Sequence, residues 1–436
     1  MLEKWIVTFL FSFGLMSTTA AGSAFIGLNI GTQLSGLPPA PEIVNILKQN
    51  QITHVRLFNA DAHLLEALSN TSIQVIVGVT NEEVLEIGEY PSKAASWINK
   101  NVAAYFPATN ITAIAVGSNV LTTNRKAASV LVSAMNNLHN ALVSSNLNNL
   151  IKVSSPQSMD IIAKMFPPSI AHFNSSFDSI VFQLLQFLKN TNSYFMLNAY
   201  PYYGFLKGNG VFPIEFALLE PLPPVKQIVD PNTLLRYDSM FDTMLDATYN
   251  SMAVLNFSTI PILVTESGWP SIGGTDATNE NAATFIKNLV LRVQNDSGPP
   301  SRPSVPINTY VYEMFDEENK RDWGLFTTNG SRVYALSLSN PQKRTGNNNN
   351  ASFSSTFCVV RNGADTSKLQ KGLNWACGQG GANCSAIQKG EACYNPDTIN
   401  DHASYSYNDY YQKMIRFGGD CDFDGTAMLT VVDPSE

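Results

Sequence analysis

The chain has 436 residues, room for one large domain and a small one, and charged residues make up only 14% of it. Its formal net charge is −8 and Lys and Arg form no run, which argues against nucleic acid and anionic membrane surfaces as partners. Low charge with plentiful Asn, Ser, Tyr and Phe suits a secreted protein that handles neutral ligands.

At the N-terminus Lys4 precedes an apolar run from Trp5 to Met16, followed by the small residues Ser17, Ala20, Ala21 and Ala24. This reads as a secretory signal peptide over 1–24, because the run is too short to span a bilayer. From Ala24 to about Leu338, short apolar runs alternate with helix-like stretches. Strands are expected at Phe25–Ile30, Ile52–Phe58, Ile73–Val79, Ile111–Val116, Ile151–Ser154, Phe195–Tyr200, Pro261–Thr265 and Thr309–Phe315. Helices are expected between them, among others at Pro41–Asn50, Asp61–Leu68, Lys126–Ser144, Ser239–Leu255 and Asn279–Arg292. Eight strands alternating with helices predict an α/β fold, a (β/α)8 TIM barrel over 25–338. A doubly wound sheet is the runner-up, without a glycine-rich dinucleotide motif after the first strand to support it.

A polar linker, 339–355, carries PQKRTGNNNNAS. All five cysteines follow it: Cys358, Cys377, Cys384, Cys393 and Cys421. They mark residues 356–436 as a small disulfide-stapled module, with one thiol left over. Zinc is the alternative, but no Cys-x-x-Cys pair is present; no metal and no cofactor is expected. Eight N-x-S/T sequons fit a secretory route, at Asn70, Asn110, Asn174, Asn256, Asn295, Asn329, Asn350 and Asn383.

The strongest chemical signal is PILVTESGWPS, where Glu266 stands at a strand tip and Trp269 three residues on. On a barrel this puts a carboxylate at the C-terminal mouth beside an aromatic face on which a sugar could stack. Other strand ends carry similar equipment: Asn29, Ser118, Asn119, Asn198, Tyr200, Tyr202 and Tyr203, with Tyr312, Glu313, Phe315 and Glu317 on the eighth strand. Gly-x-Ser-x-Gly, Walker and His-Glu-x-x-His motifs are all missing. By base rate alone a loop Glu is simply exposed, and His54 and His139 are packing or surface residues.

Gly27-Leu28-Asn29-Ile30-Gly31, VRLFNADA, AVGSNVL, LNAYPYY, VTESGWPS, YVYEMFDE and WGLF occur in that order. Together they closely resemble the plant family-17 glycoside hydrolases, the endo-1,3-β-glucanases. FCVV, LNWACG, CYNP, HASYSYNDYYQ and CDFDG resemble the C-terminal family-43 carbohydrate-binding module of those proteins. The resemblance implies a (β/α)8 barrel that cleaves internal β-1,3 bonds of glucans such as callose with retention. It implies Glu266 as nucleophile, and Asn29, Ser118, Asn198, Tyr200, Tyr202, Trp269, Phe315, Glu317 and Lys320 as substrate contacts. In the module it implies Cys358–Cys421 and Cys377–Cys384 pairs. A glucan-binding surface there is expected from Tyr405, Tyr407, Tyr410 and Tyr411. The implied setting is a secreted cell-wall monomer with β-1,3-glucan as partner and no transmembrane segment.

The chain departs from the pattern where it matters most. The family's acid/base Glu follows the fourth strand, and here that position is Asn119. An amide can hold the glycosidic oxygen but cannot give up a proton. A second cleft Glu usual after Lys320 is also absent, since Arg321-Asp322 leads straight to Trp323. Ile30 stands where relatives often carry Tyr, the module's usual sixth Cys is not seen, and no GPI-anchor signal is visible. Two functions are therefore expected: endo-hydrolysis of β-1,3-glucan at a reduced rate, or glucan binding without hydrolysis.

Overall fold

The structure is a computed structural model that describes residues 24–338 and 357–430, apart from 33, 35, 224, 317–321, 335–337, 362, 392 and 415–420. The expected signal peptide and linker, Glu317, Lys320 and Asn350 lie outside the described residues.

Nine strand segments make one sheet, in which every pairing is parallel. In chain order they begin with β1 (Ile26–Ile30), β2 (His54–Leu57), β3 (Gln74–Val79) and β4 (Asn110–Val116). Then come β5 (Lys152–Ser154), β6 (Gln157–Ser158) and β7 (Phe195–Asn198). A separate antiparallel pair, β8 (Ile228–Val229) and β9 (Arg236–Tyr237), precedes β10 (Ile262–Ser267) and β11 (Thr309–Val311). The spatial order is β5-β4-β3-β2-β1-β11-β10-β7-β6. The two ends of that list, β5 and β6, are separated in the chain only by Ser155 and Pro156. Pro156 has no N–H to give a ladder, so one strand position is broken there, and its halves pair with opposite edges of the sheet. The sheet thus closes on itself as the eight-position barrel that the alternation predicts.

Six of the eight expected strands are shorter than the reading, most by a residue or two at an end. β7 stops at Asn198 because Pro201 starts a helix, Pro201–Gly208, with Tyr200 as its N-cap residue. β11 ends at Val311, and Phe315 takes part only in an isolated bridge to Phe326.

Alternation along the strands separates two apolar layers. Leu28, Ile30, Val55 and Leu57 belong to the large core beneath the helices. Ile76, Ala113, Ala115, Met196, Leu263 and Tyr310 form a second cluster inside the barrel. Gly27 is required by this interior, because a Cβ there would come within 2.5 Å of the Tyr310 ring. Above the inner cluster the same alternation brings Asn29, Arg56, Asn198 and Thr265 into one buried polar layer.

The C-terminal module has its own core around Cys358, Leu369, Ala376, Ala403, Tyr407 and Tyr411. It pairs β12 (Phe357–Val360) with β13 (Ala427–Thr430) against the helices Thr366–Cys377 and Ile399–Met414. Cys358–Cys421 and Cys377–Cys384 are bonded, as the resemblance implies, and Cys393 is free and exposed. No helix among the described residues is long and apolar enough to cross a membrane.

Candidate active site

Glu266 owes its position to an irregularity in β10. Against β7, Val264 pairs with Leu197 and Glu266 with Asn198, so one extra residue, Thr265, is inserted. Such a bulge re-aims a side chain. Here two consecutive residues face inward: the Thr265 hydroxyl reaches Asn198 Oδ1 at 2.8 Å, and the Glu266 carboxylate meets Arg56 from β2.

Three donors grip that carboxylate. Arg56 Nη1 donates to Oε1 at 2.6 Å, Ser118 Oγ to Oε1 at 3.1 Å and Tyr200 Oη to Oε2 at 2.8 Å. Arg56 also donates to Asn29 Oδ1 and to the Thr265 carbonyl. Asn29 in turn spends its Nδ2 on the carbonyls of Thr265 and Val311. The Arg56 and Glu266 side chains are only 2% and 7% exposed, so each charge depends on the other for compensation. Burial, and after it the neighbouring Glu266 carboxylate, pushes the Tyr200 phenol well above its usual range, which keeps it a donor.

The loop after β4 holds the second half of the site. Gly117 (φ +64°) and Asn119 (φ 53°) are both left-handed, a conformation that Gly adopts freely and that Asn tolerates better than most residues. Asn119 is the residue before the short helix Val120–Thr123, and its N–H donates to the Pro156 carbonyl at the strand break. Its Oδ1 accepts from Asn198 Nδ2 at 3.0 Å. Asn119 Nδ2 donates to none of the described residues.

A cleft of about 490 Å3 lies over one side of this centre, with Arg56, Phe58, Asn59, Asn81, Ser118, Glu266 and Tyr312 in its lining. A second of about 550 Å3 lies over the other side and includes Ser158, Asp160, Asn198, Tyr200, Tyr203 and Lys207. Glu266 lines the first part of this groove and its hydrogen-bond partner Tyr200 the second.

Of the expected substrate contacts, Ser118, Asn198 and Tyr200 line the groove. Trp269 does not present a stacking face. It is 1% exposed, its Nε1 donates to the Asp276 carbonyl, and its ring packs among Tyr202, Phe205 and Phe285. Tyr202 and Phe315 are buried as well, and Asn29 has its amide fully committed, so these four brace the wall from behind. The aromatic residues in the lining are Phe58 and Tyr312 on one side and Tyr200, Tyr203 and Phe212 on the other. Arg56 was missed as a site residue although a signal existed: a lone charge within the apolar strand HVRLF demands a buried partner.

In the module, Tyr407 and Tyr411 are core residues, Tyr407 stacking on Phe423 at 3.8 Å. A binding face at Tyr411 is therefore ruled out by its burial, which a helix imposes on positions 407 and 411 together. Tyr405 is half-buried. Tyr410 borders a pocket of about 400 Å3 with Trp375, Phe423, Lys368, Lys371, Asp422 and Asp424. Trp375, 42% exposed, had not been singled out from the sequence.

A family model described as "Glycosyl hydrolases family 17" matches residues 26–338, and one described as "X8 domain" matches 356–428. The chain is 58% identical to "Glucan endo-1,3-beta-glucosidase 4" of Arabidopsis thaliana, over 100% of this chain and 87% of that one. It is 49% identical to "Glucan endo-1,3-beta-glucosidase 2" of the same plant, over 94% and 83%. Among solved structures it resembles "CJP38, a beta-1,3-glucanase and allergen of Cryptomeria japonica pollen", with TM-score 0.69, 37% identity and coverage of 72% and 99%. It also resembles a structure described under "two plant beta-glucan endohydrolases with distinct substrate specificities", with TM-score 0.66, 33% identity and coverage of 71% and 99%.

Proposed function

The chain belongs to glycosyl hydrolases family 17, and from that membership we propose that it hydrolyses internal β-1,3-glucosidic bonds of β-1,3-glucan with retention, at a reduced rate. The observation that carries this reading is the three-donor grip on Glu266, which lines a cleft of about 490 Å3. Glu266 is the nucleophile. Retention ordinarily uses a second carboxyl about 5–5.5 Å away to protonate the leaving oxygen and then activate water. By resemblance Asn119 occupies the acid/base position, and an amide can do neither. General acid catalysis is worth about 10²–10⁴-fold, so a natural glucan with its poor leaving group turns over slowly.

A second reading, glucan binding without hydrolysis, is favoured by the same amide, which is held as a fixed hydrogen-bonding group. Reducing-end release from laminarin, beside calorimetry with laminari-oligosaccharides, separates the two. Catalytic release supports hydrolysis; saturable heat without release supports binding alone; neither would sink both. The C-terminal module adds affinity for the same polymer through the Trp375–Tyr410 pocket. Secretion to the cell wall as a monomer completes the proposal. Asn70, Asn110, Asn256, Asn295, Asn329 and Asn383 are exposed and Asn174 half-buried, as glycan acceptors need.

A further inference from the structure

The two parts of the groove offer a ligand different surfaces. The cleft that Glu266 lines presents polar side chains, among them Thr32, Asn59, Thr80, Asn81 and Glu82. The part that Tyr200 lines, about 550 Å3, presents Met159, Ile162, Met165, Tyr203, Phe212 and Met244. Gly204 is required there, since a Cβ would come within 2.5 Å of Met240 Sδ and 2.8 Å of Met244 Cε. Methionine is soft and unbranched, and its sulfur packs well against aromatic rings. The polar side chains of this part are already engaged. Asn198 Nδ2 donates to Asn119 Oδ1 and Ser118 Oγ, while its Oδ1 accepts from Thr265. Tyr200 donates to Glu266, and Ser158 Oγ accepts from the Asp160 N–H. Lys207 and Asp160 pair with each other at the rim, with side chains 69% and 53% exposed. A glucose unit brings hydroxyl groups that need new partners, and burying them without any is costly. A flat aromatic group asks for none and gains from burial against methionine and phenylalanine.

We propose that this second part binds an aromatic, non-sugar aglycone, so that the chain recognises aryl β-1,3-glucosides as well as the polymer. The proposal rests on the glucan reading only in seating the sugar in the first cleft. The Glu266–Tyr200 hydrogen bond links a residue of one part to a residue of the other, so a glucoside seated at Glu266 reaches the second part with its aglycone. The volume of about 550 Å3 lies within the roughly 300–1,000 Å3 of small-ligand sites and holds a two-ring aromatic group. Burying the apolar surface of such a group corresponds to at least ~10-fold in affinity.

The test is calorimetry on the full chain with laminaritriose and two thioglycosides whose sulfur linkage resists cleavage, methyl and 2-naphthyl 1-thio-β-laminaribioside. The naphthyl probe is expected to bind at least ~10-fold tighter than the methyl one. Met165→Gln puts an amide of similar size into the lining, and Ala163→Asp puts a carboxylate at an exposed position of the same lining. Each should cut the naphthyl-to-methyl ratio by about threefold or more, while Met165→Leu keeps it. Circular dichroism checks the fold of each variant. Equal binding of the two thioglycosides, with laminaritriose still bound, would overturn the proposal and leave the glucan reading intact. A ratio unchanged in both M165Q and A163D would place the naphthyl group elsewhere, the module's Trp375 pocket included, and would overturn it too. Naphthyl binding that the variants weaken, without laminaritriose binding, would keep the aromatic site and remove the glucan reading. No binding of any probe would overturn the two together.

Discussion

Asn198 links Asn119 to the strand that carries Glu266: its Nδ2 donates to Asn119 Oδ1 at 3.0 Å, and its Oδ1 accepts from Thr265 at 2.8 Å. Through this bridge the bulge that aims Glu266 also fixes the amide that stands where a proton donor is expected. The Asn119 side chain is therefore held in place by its neighbours.

Replacing Asn119 with Glu should raise laminarin hydrolysis by at least ~10²-fold, since it restores an acid at a position already placed. The gain has a cost in stability. Asn119 is left-handed at φ 53°, which a longer side chain tolerates less well, and the Asn198 bond changes partner. A loss of about 1 kcal/mol in urea unfolding is expected. Unchanged hydrolysis would mean that the missing Glu segment after Lys320, or another defect, limits the rate instead.

Arg56→Met should destabilise the barrel by about 3–5 kcal/mol, because it strands the Glu266 carboxylate without its buried counter-charge. The double variant R56M/E266Q should recover most of that loss, as the remaining amide carries no charge to compensate. Chemical denaturation of both measures the coupling directly. A loss below about 1 kcal/mol in R56M would show that the pair is not the closed unit its burial indicates.

In the module, Trp375→Ala should weaken pull-down on insoluble β-1,3-glucan while circular dichroism and thermal unfolding stay near wild type. Exposed at the pocket, Trp375 packs edge-on to Tyr410 at 5.0 Å and to Phe423 at 5.9 Å. Tyr411→Ala should instead unfold the module, by about 3–5 kcal/mol for a large core side chain. Undiminished pull-down by the Trp375 variant would move the binding face elsewhere.

His54 makes a pH prediction. Its ring stacks on Phe25 at 3.4 Å, and burial lowers its pKa to about 4, against a smaller opposing effect from Gln74. The unfolded chain then binds the proton more readily than the folded one between about 6.5 and 4. Its contribution to stability is complete above 6.5 and declines as the pH falls through that window. Relative to His54→Gln, wild type should therefore lose stability on acidification from pH 7 to pH 4, and urea titrations at the two pH values measure it. A constant difference would show that His54 titrates alike in both states.

The eight strand positions, the cysteine module and the prominence of Glu266 and Asn119 were legible in the sequence. These are written in local patterns: β-branched runs ending in Gly or polar residues, cysteine spacing, and side-chain type at strand tips. Which aromatic residues meet a ligand was decided only by tertiary structure. Trp269, Tyr202 and Tyr411 read like Tyr203, Tyr312 and Trp375 along the chain, yet the first three are buried. Whether a ring faces the groove or the wall depends on neighbours from distant strands and helices, as Trp269 packing on Phe285 shows. The pairing of Arg56 with Glu266 was likewise hidden, because 210 residues separate two groups that only barrel closure brings within 2.6 Å. Closure was also decided only in three dimensions, where the two halves of the strand interrupted at Ser155-Pro156 pair with opposite edges of the sheet.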